Sequence, residues 1–551
     1  MKKLIPFIIL LALCIRMQAQ TTPAEAQKIA TFTKIWGFLK YYHPTVATGK
    51  LDWDHEYMTR LKDLAALNTR DEISNYYSNW IGTLGFVTPC STCSQNKDSI
   101  TRNLDLDWLS DGTLFNARLM DELQYIRQNR NQGKNYYVQF YPVGNTGYRN
   151  EKPYKDSVYP GAEMRLLSLA RYWNIIEYFY PYKYGIGEDW NHVLVEMIPL
   201  FRDAPDTMAY HLAMMQLVAS IRDSHADLIN HYTNLHFGLK WAPFDFKLID
   251  NQAIVTRFYN DSLCAKNDIR YGDVFLSVNG KDIAGIIREQ WKYVGSSNDA
   301  AKLRNMYCAI FNGNTDSVEV TYERDGVVGK KTLYRYYFKY FYPKGYKPVR
   351  PEACKILPGN IAYVNMAGLS PGQVPAIIKQ VKDTRAIIFD VRNYPNGAMF
   401  KLAALLDTAP VPFARISMPD VNYPGMFRYN HFGPMYCGLK KNKHAYKGRV
   451  ILLFNEMTQS HAEFTLMALQ TAPRVTGIGS TTAGADGNVS DLVFPGNYHT
   501  YMTGLGVYYP DGRETQRVGI LPDIVVHPTI AGIRAHRDEV LDKALEVIGK
   551  D

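Results

Sequence analysis

Arg449-Val450-Ile451-Leu452-Leu453-Phe454-Asn455-Glu456-Met457-Thr458-Gln459-Ser460-His461-Ala462-Glu463 is the stretch whose reading decides the fold. After Arg449 come five consecutive apolar residues, the pattern of a short strand buried on both faces. A helix from about Ala462 to Gln470 follows. A buried strand feeding a helix is the unit of an α/β sheet, where functional residues gather at strand C-terminal ends. Ser460 falls where the helix begins. A hydroxyl there can cap the helix. It can also leave the turn as a nucleophile, beside backbone N–H groups and the positive helix end that favour a developing oxyanion. This stretch alone leaves both uses open.

The flanking chain extends the pattern. Ile361–Met366 reads as a strand, Gln373–Val381 as a helix, Arg385–Asp390 as a buried strand ending in a carboxylate and Phe400–Leu406 as a helix. Asp390-Val391-Arg392-Asn393-Tyr394-Pro395-Asn396-Gly397 is a glycine-terminated turn suited to presenting an N–H. Arg392 there can pair with Asp390 or bind a substrate carboxylate. Upstream, Ser224-His225 offers a base, and Asp511-Gly512-Arg513-Glu514-Thr515-Gln516-Arg517-Val518-Gly519-Ile520-Leu521-Pro522-Asp523 brings further polar and acidic groups. His225, His231 and His236 are spaced like no usual metal site.

Between about 242 and 335 the pattern changes to short strands. Asp268-Ile269-Arg270-Tyr271-Gly272-Asp273-Val274-Phe275-Leu276-Ser277-Val278-Asn279-Gly280-Lys281-Asp282-Ile283 gives a glycine turn, a strand and an Asn-Gly hairpin turn. It resembles a PDZ domain, a module that binds peptide ends by adding a strand to a sheet edge.

The N-terminal part contains a repeat. Ile35-Trp36-Gly37-Phe38-Leu39-Lys40-Tyr41-Tyr42-His43-Pro44 aligns with Tyr172-Trp173-Asn174-Ile175-Ile176-Glu177-Tyr178-Phe179-Tyr180-Pro181, and Asp52-Trp53-Asp54-His55 with Asp189-Trp190-Asn191-His192, both at an offset of 137 residues. Two blocks at one offset indicate two copies of one helical unit. His55 and His192 are read as packing groups at helix starts. The same offset carries His225 back to Thr88, so only the second copy holds that histidine.

The 551 residues are 46% hydrophobic and 21% charged, which excludes disordered, collagen-like and low-complexity classes. The formal charge of +9 forms no basic block, so a nucleic-acid partner is not implied. Met1-Lys2-Lys3, the apolar run Leu4–Ile15 and Gln18-Ala19-Gln20 read as an export leader cleaved near Ala19 or Gln20. Cys14 offers lipoprotein anchoring as an alternative, although Leu13 stands where a small residue is wanted. No later segment is long enough to span a bilayer. Export permits disulfides. Cys90-Ser-Thr-Cys93 is read as a local disulfide or two loop thiols in preference to a zinc or redox site.

In its order of motifs the sequence resembles the serine peptidases that include the tail-specific (C-terminal processing) proteases and the tricorn core protease. The resemblance covers about residues 160–530: a helical segment, a PDZ-like module, a D-x-R-x-x-P-x-G turn, an N-x-x-T-x-S-x-x-E segment and a G-x-x-P-D ending. One form of the family uses a lysine in a T-x-G-K-G segment. Here Thr482-Ala483-Gly484-Ala485-Asp486 has Ala485 at that position. The other form uses a histidine preceded by serine, which Ser224-His225 matches.

The resemblance implies Ser460 as nucleophile, His225 as base, and Glu514, with Gln516 as its alternative, orienting His225 through Ser224. The N–H groups of Gly397 and His461 would form the oxyanion hole, and Arg392 and Asn396 would contact substrate. It implies a multidomain α/β protein: leader 1–20, helical unit 21–150, a second helical unit 151–240 with the Ser-His pair, a PDZ-like domain 241–345, a crotonase-like α/β peptidase core 346–530 and a terminal helix 531–551. The implied activity is that of an exported, periplasmic or extracellular serine endopeptidase acting on polypeptides, with no metal or organic cofactor. A non-catalytic peptide- or lipid-binding protein on the same fold is the alternative.

Overall fold

A computed structural model describes residues 20–93, 99–342, 349–431 and 433–550. The expected leader, including Cys14, lies outside the described residues apart from Gln20. Among the described residues no helix is long and apolar enough to cross a membrane.

The central sheet runs in the order Cys354–Leu357, Ile361–Asn365, Ala386–Asp390, Arg449–Phe454, Val475–Gly479, Ile524–Val525. Its first pair is antiparallel and the rest are parallel. Both faces are covered, which is why its strands read as continuous apolar runs. Helices Val374–Val381, Met399–Leu406 and His461–Leu469 bury Ile377, Leu402 and Leu466 against Ile387, Phe389 and Leu452. The terminal helix Glu539–Gly549 buries Val540, Ala544 and Ile548 against Ile388, Ile451 and Leu453 on the opposite face.

Residues 244–337 contain a second, antiparallel sheet. Val274–Val278 turns at Asn279 and Gly280, with φ of 49° and 75°, the left-handed pair that a two-residue hairpin requires. Ser317–Arg324 and Val327–Tyr334 form its longest hairpin.

The N-terminal 220 or so residues are mostly helical. Pro23–Tyr42 and Ala162–Phe179 are almost wholly buried. Trp53–Leu64, Trp190–Arg202 and Thr207–Ser220 pack around them in one continuous core. That core also takes in Leu492, Phe494 and Met502 from the hairpin Val489–Phe494/Tyr498–Thr503. Phe494 stacks on Tyr172 at 5.2 Å, so this hairpin fastens the helices to the sheet. Cys90 and Cys93 form a disulfide.

Candidate active site

Ser460 lies between the strand Arg449–Phe454 and the helix His461–Leu469. Its backbone differs from that of other capping residues in this chain. Ordinary caps in this chain are extended: Thr69 has φ −108° and Asn230 −149°. Ser460 has φ 58° and ψ −124°, a conformation costly for any residue with a Cβ, by about 1–3 kcal/mol. Glu463, fully buried, holds the strained turn in place. Its carboxylate accepts from the Ser460 N–H at 3.1 Å, the Ala485 N–H at 3.0 Å, the Gly484 N–H at 2.8 Å and the Thr482 hydroxyl at 2.5 Å. Burial pushes the Glu463 carboxyl up, and these donors pull it back. Ser460 N–H also donates to Ala485 O at 2.9 Å. Ala485, found where a lysine stands in the Ser–Lys form, thus serves the turn through its backbone.

The Ser224-His225 turn meets this segment directly. Gln459 Nε2 donates to Ser224 O at 3.1 Å, and Ser224 Oγ donates to Ala483 O at 3.1 Å. Ser224 also exchanges bonds with Ser297, N–H to hydroxyl, at 2.8 Å each way. The Ser224 hydroxyl therefore joins three segments and does not link His225 to an acid.

The acid beside His225 is Asp223, which the sequence reading passed over. Thr503 Oγ1 donates to Asp223 Oδ1 at 2.9 Å and its N–H to Asp223 Oδ2 at 2.6 Å. His225 Nδ1 lies 2.8 Å from Thr503 Oγ1. The Thr503 proton is committed to Asp223, so its lone pair accepts from Nδ1–H. That tautomer leaves Nε2 unprotonated. Nε2 is buried and has no hydrogen-bond partner among the described residues. Asp223 is fully buried; burial works against its charge, but bonds from His225 and Thr503 hold its pKa below the usual carboxylate value.

Other expected residues sit differently. Glu514 accepts from Arg102 at 2.6 Å and from Tyr184 Oη at 2.7 Å, and neither His225 nor Ser224 bonds to it. Gln516 comes nearer: its Nε2 is 3.4 Å from Asp223 Oδ1 and 3.5 Å from Ser297 Oγ. Arg392 is occupied on both edges, by Asp390 at 2.6–3.0 Å and Asp538 at 2.7 Å, so it braces the turn and has no free edge for a substrate carboxylate. Asn396 Nδ2 donates to Ala367 O at 2.6 Å. Gly397 has φ 75° with open space where a Cβ would stand. Thr458 Oγ1 donates to Val391 O at 2.8 Å, tying this turn to the Ser460 loop. His461 is half-buried, and burial lowers its pKa.

Two cavities adjoin these elements. The one that Ser460 and His461 line has a volume of about 810 Å³. A larger one, about 1030 Å³, is lined by Arg222, Lys302, Glu514 and Gln516 and does not reach Ser460. Among the described residues, Glu188, His192 and Glu196 bring ligand-type atoms within 4.8 Å of one another, all exposed, an arrangement common on helices without an ion. His192 is thus a surface residue and not the packing group that its place in the repeat suggested.

The sheet is parallel apart from its first strand pair, and a strained serine follows one of its central strands. Residues 360–526 match the model of Peptidase family S41, and the chain is a serine-type peptidase carrying a domain of that family. Mature CPAF is similar in structure at 16% identity, TM-score 0.56, over 71% of this chain and 98% of that one. Its complex with lactacystin gives 15%, 0.55, 71% and 99%. A peptidase from Parabacteroides merdae gives 16%, 0.43, 71% and 97%. For the two CPAF structures, at these identities, the likeness is one of fold. No curated protein sequence matches the chain.

Proposed function

We propose that the protein is an exported serine endopeptidase in which Ser460 attacks the scissile carbonyl and His225 takes its proton. The observation that carries this is the Asp223–Thr503–His225 chain, which leaves a bare, buried Nε2 on a turn bonded to the residue before Ser460. Asp223 stabilises the imidazolium that forms, and Thr503 fixes the tautomer. The N–H groups of Gly397 and His461 receive the oxyanion; loss of one such donor costs about 10²–10³ in rate. His225 gives that proton to the departing amine as the C–N bond breaks, and the acyl-enzyme is then hydrolysed with His225 as base towards water. The two tryptophan-paired helical units are copies of one unit, and the antiparallel sheet at 244–337 is PDZ-like. The Cys90–Cys93 disulfide supports export to an oxidising compartment.

The test is labelling by an active-site fluorophosphonate. Wild type is labelled and cleaves unfolded polypeptide, while Ser460→Ala and His225→Ala do neither. A wild type that neither labels nor cleaves, yet binds peptide, overturns the reading. Fractionation of the producing cell checks export.

A further inference from the structure

Beside Ser460 the cavity of about 810 Å³ has a distinctive lining. Its walls include Ile416, Met418, Met435, Phe464 and Leu505. Among the described residues no Lys, Arg or Glu lines it, and the titratable residues that do are Asp486, His431, His461 and Tyr394. Asp486 is buried, and burial together with the neighbouring Glu463 raises its pKa well above the usual carboxylate value. Its Oδ1 accepts from the Gly487 N–H at 2.7 Å, and its Oδ2 has no partner. Burial lowers the pKa of His461.

One wall comes from outside the matched family domain. Pro142, Val143 and Gly144 reach the cavity from the N-terminal part of the chain. They sit on a tight turn closed by Gly144 N–H to Tyr141 O at 2.9 Å and Tyr141 N–H to Asn145 O at 2.8 Å. Asn145 Nδ2 donates to Val489 O at 2.7 Å, which fixes the turn to the hairpin that carries Thr503. Gly144 lies against Met418: a Cβ at position 144 would stand 3.0 Å from Met418 Cε. The turn is thus a built wall.

We propose that this cavity is the specificity pocket, that it accepts a large uncharged apolar side chain flanking the scissile bond, and that Val143 and Met418 set its depth and polarity. This rests on Ser460 being the nucleophile. The physical reason is desolvation. A Leu or Phe side chain gains about 1.5–3 kcal/mol on full burial. A Lys or Asp side chain loses its hydration against these apolar walls.

Two measurements test it separately from the catalytic reading. Peptide libraries varied on each side of the cut should give kcat/KM at least tenfold higher for Phe, Leu or Met than for Lys, Asp or Ala at one flanking position. Val143→Asp, on the turn that walls the cavity, should cut that preference at least fivefold. Asp486→Asn should leave the preference intact. Direct binding covers the case without turnover: Ser460→Ala should bind a Phe-containing peptide at least tenfold more tightly than its Lys counterpart. A flat library with normal labelling, or equal binding of the two peptides, overturns the pocket assignment and leaves the catalytic reading standing. Absent labelling with selective binding overturns the catalytic reading instead.

Discussion

Trp36 Nε1 donates to Trp53 O at 2.8 Å and Trp53 Nε1 to Trp36 O at 3.1 Å; Trp173 and Trp190 repeat the exchange at the same two distances. The rings stack at 6.4 and 6.3 Å. The two helical regions also meet at equivalent positions. Asn174 fills the space above Gly37, its counterpart 137 residues earlier, and its Nδ2 donates to Thr33 O at 3.1 Å and Ala170 O at 2.9 Å, again counterparts. The polar content differs. Lys40, buried against Glu151, corresponds to Glu177, buried against Lys183. Thr88 corresponds to His225. The comparison teaches that one packing pattern recurs in both regions, and that the difference lies in a few polar positions.

The sharpest way to break the comparison is at its functional difference. His225→Ala should lower kcat by about 10³-fold or more, while Thr88→Ala leaves it within about twofold; equal effects would mean the regions are not divided in role. Asp223→Asn should lower kcat by about 10²-fold or more with little change in KM, because the imidazolium loses its counter-charge. The depressed pKa of Asp223 adds a stability signature. Its contribution is present above the unfolded carboxylate value of about 3.9 and is lost as pH falls through the folded value. Wild type should therefore lose stability more steeply than Asp223→Asn below about pH 4 in urea unfolding.

At the crossing point, a Cβ on Gly37 would overlap Asn174 Oδ1. Gly37→Ala should cost about 1–3 kcal/mol, and adding Asn174→Ala should recover part of it. Simple additivity would show that the two helices do not meet there. The smallest effect is expected at Glu177, whose pKa burial raises to about 7. A raised carboxylate pKa makes the folded state the better proton binder, so its contribution is present at low pH and is lost as pH rises to about 7. Glu177→Gln should flatten the fall of wild-type stability between about pH 5 and 7, by at most about 1.4 kcal/mol per unit.

Much of the core was readable in advance. The strand Arg449–Phe454 has its expected bounds, and the helices Val374–Val381 and His461–Leu469 fall within a residue of theirs, because unbroken apolar runs and helical periodicity are local properties. The Asn279-Gly280 turn follows from φ preference. The acid next to His225 was not readable in this way. Motif order pointed to Glu514, whose neighbours in space are Arg102 and Tyr184. The only sequence clue to Asp223 was its place two residues before the histidine.

The sequence by itself determined the alternation of strands and helices, the buried tryptophan stripes and the residue types able to do acyl chemistry, since these depend on spacing and side-chain character. The tertiary structure decided which carboxylate faces His225, that Arg392 is enclosed between Asp390 and Asp538, and that the turn at Pro142–Gly144 walls the cavity beside Ser460. Those outcomes depend on which surfaces meet after the hairpin 489–503 docks on the helices, and contacts between residues hundreds of positions apart leave no periodic trace in the chain.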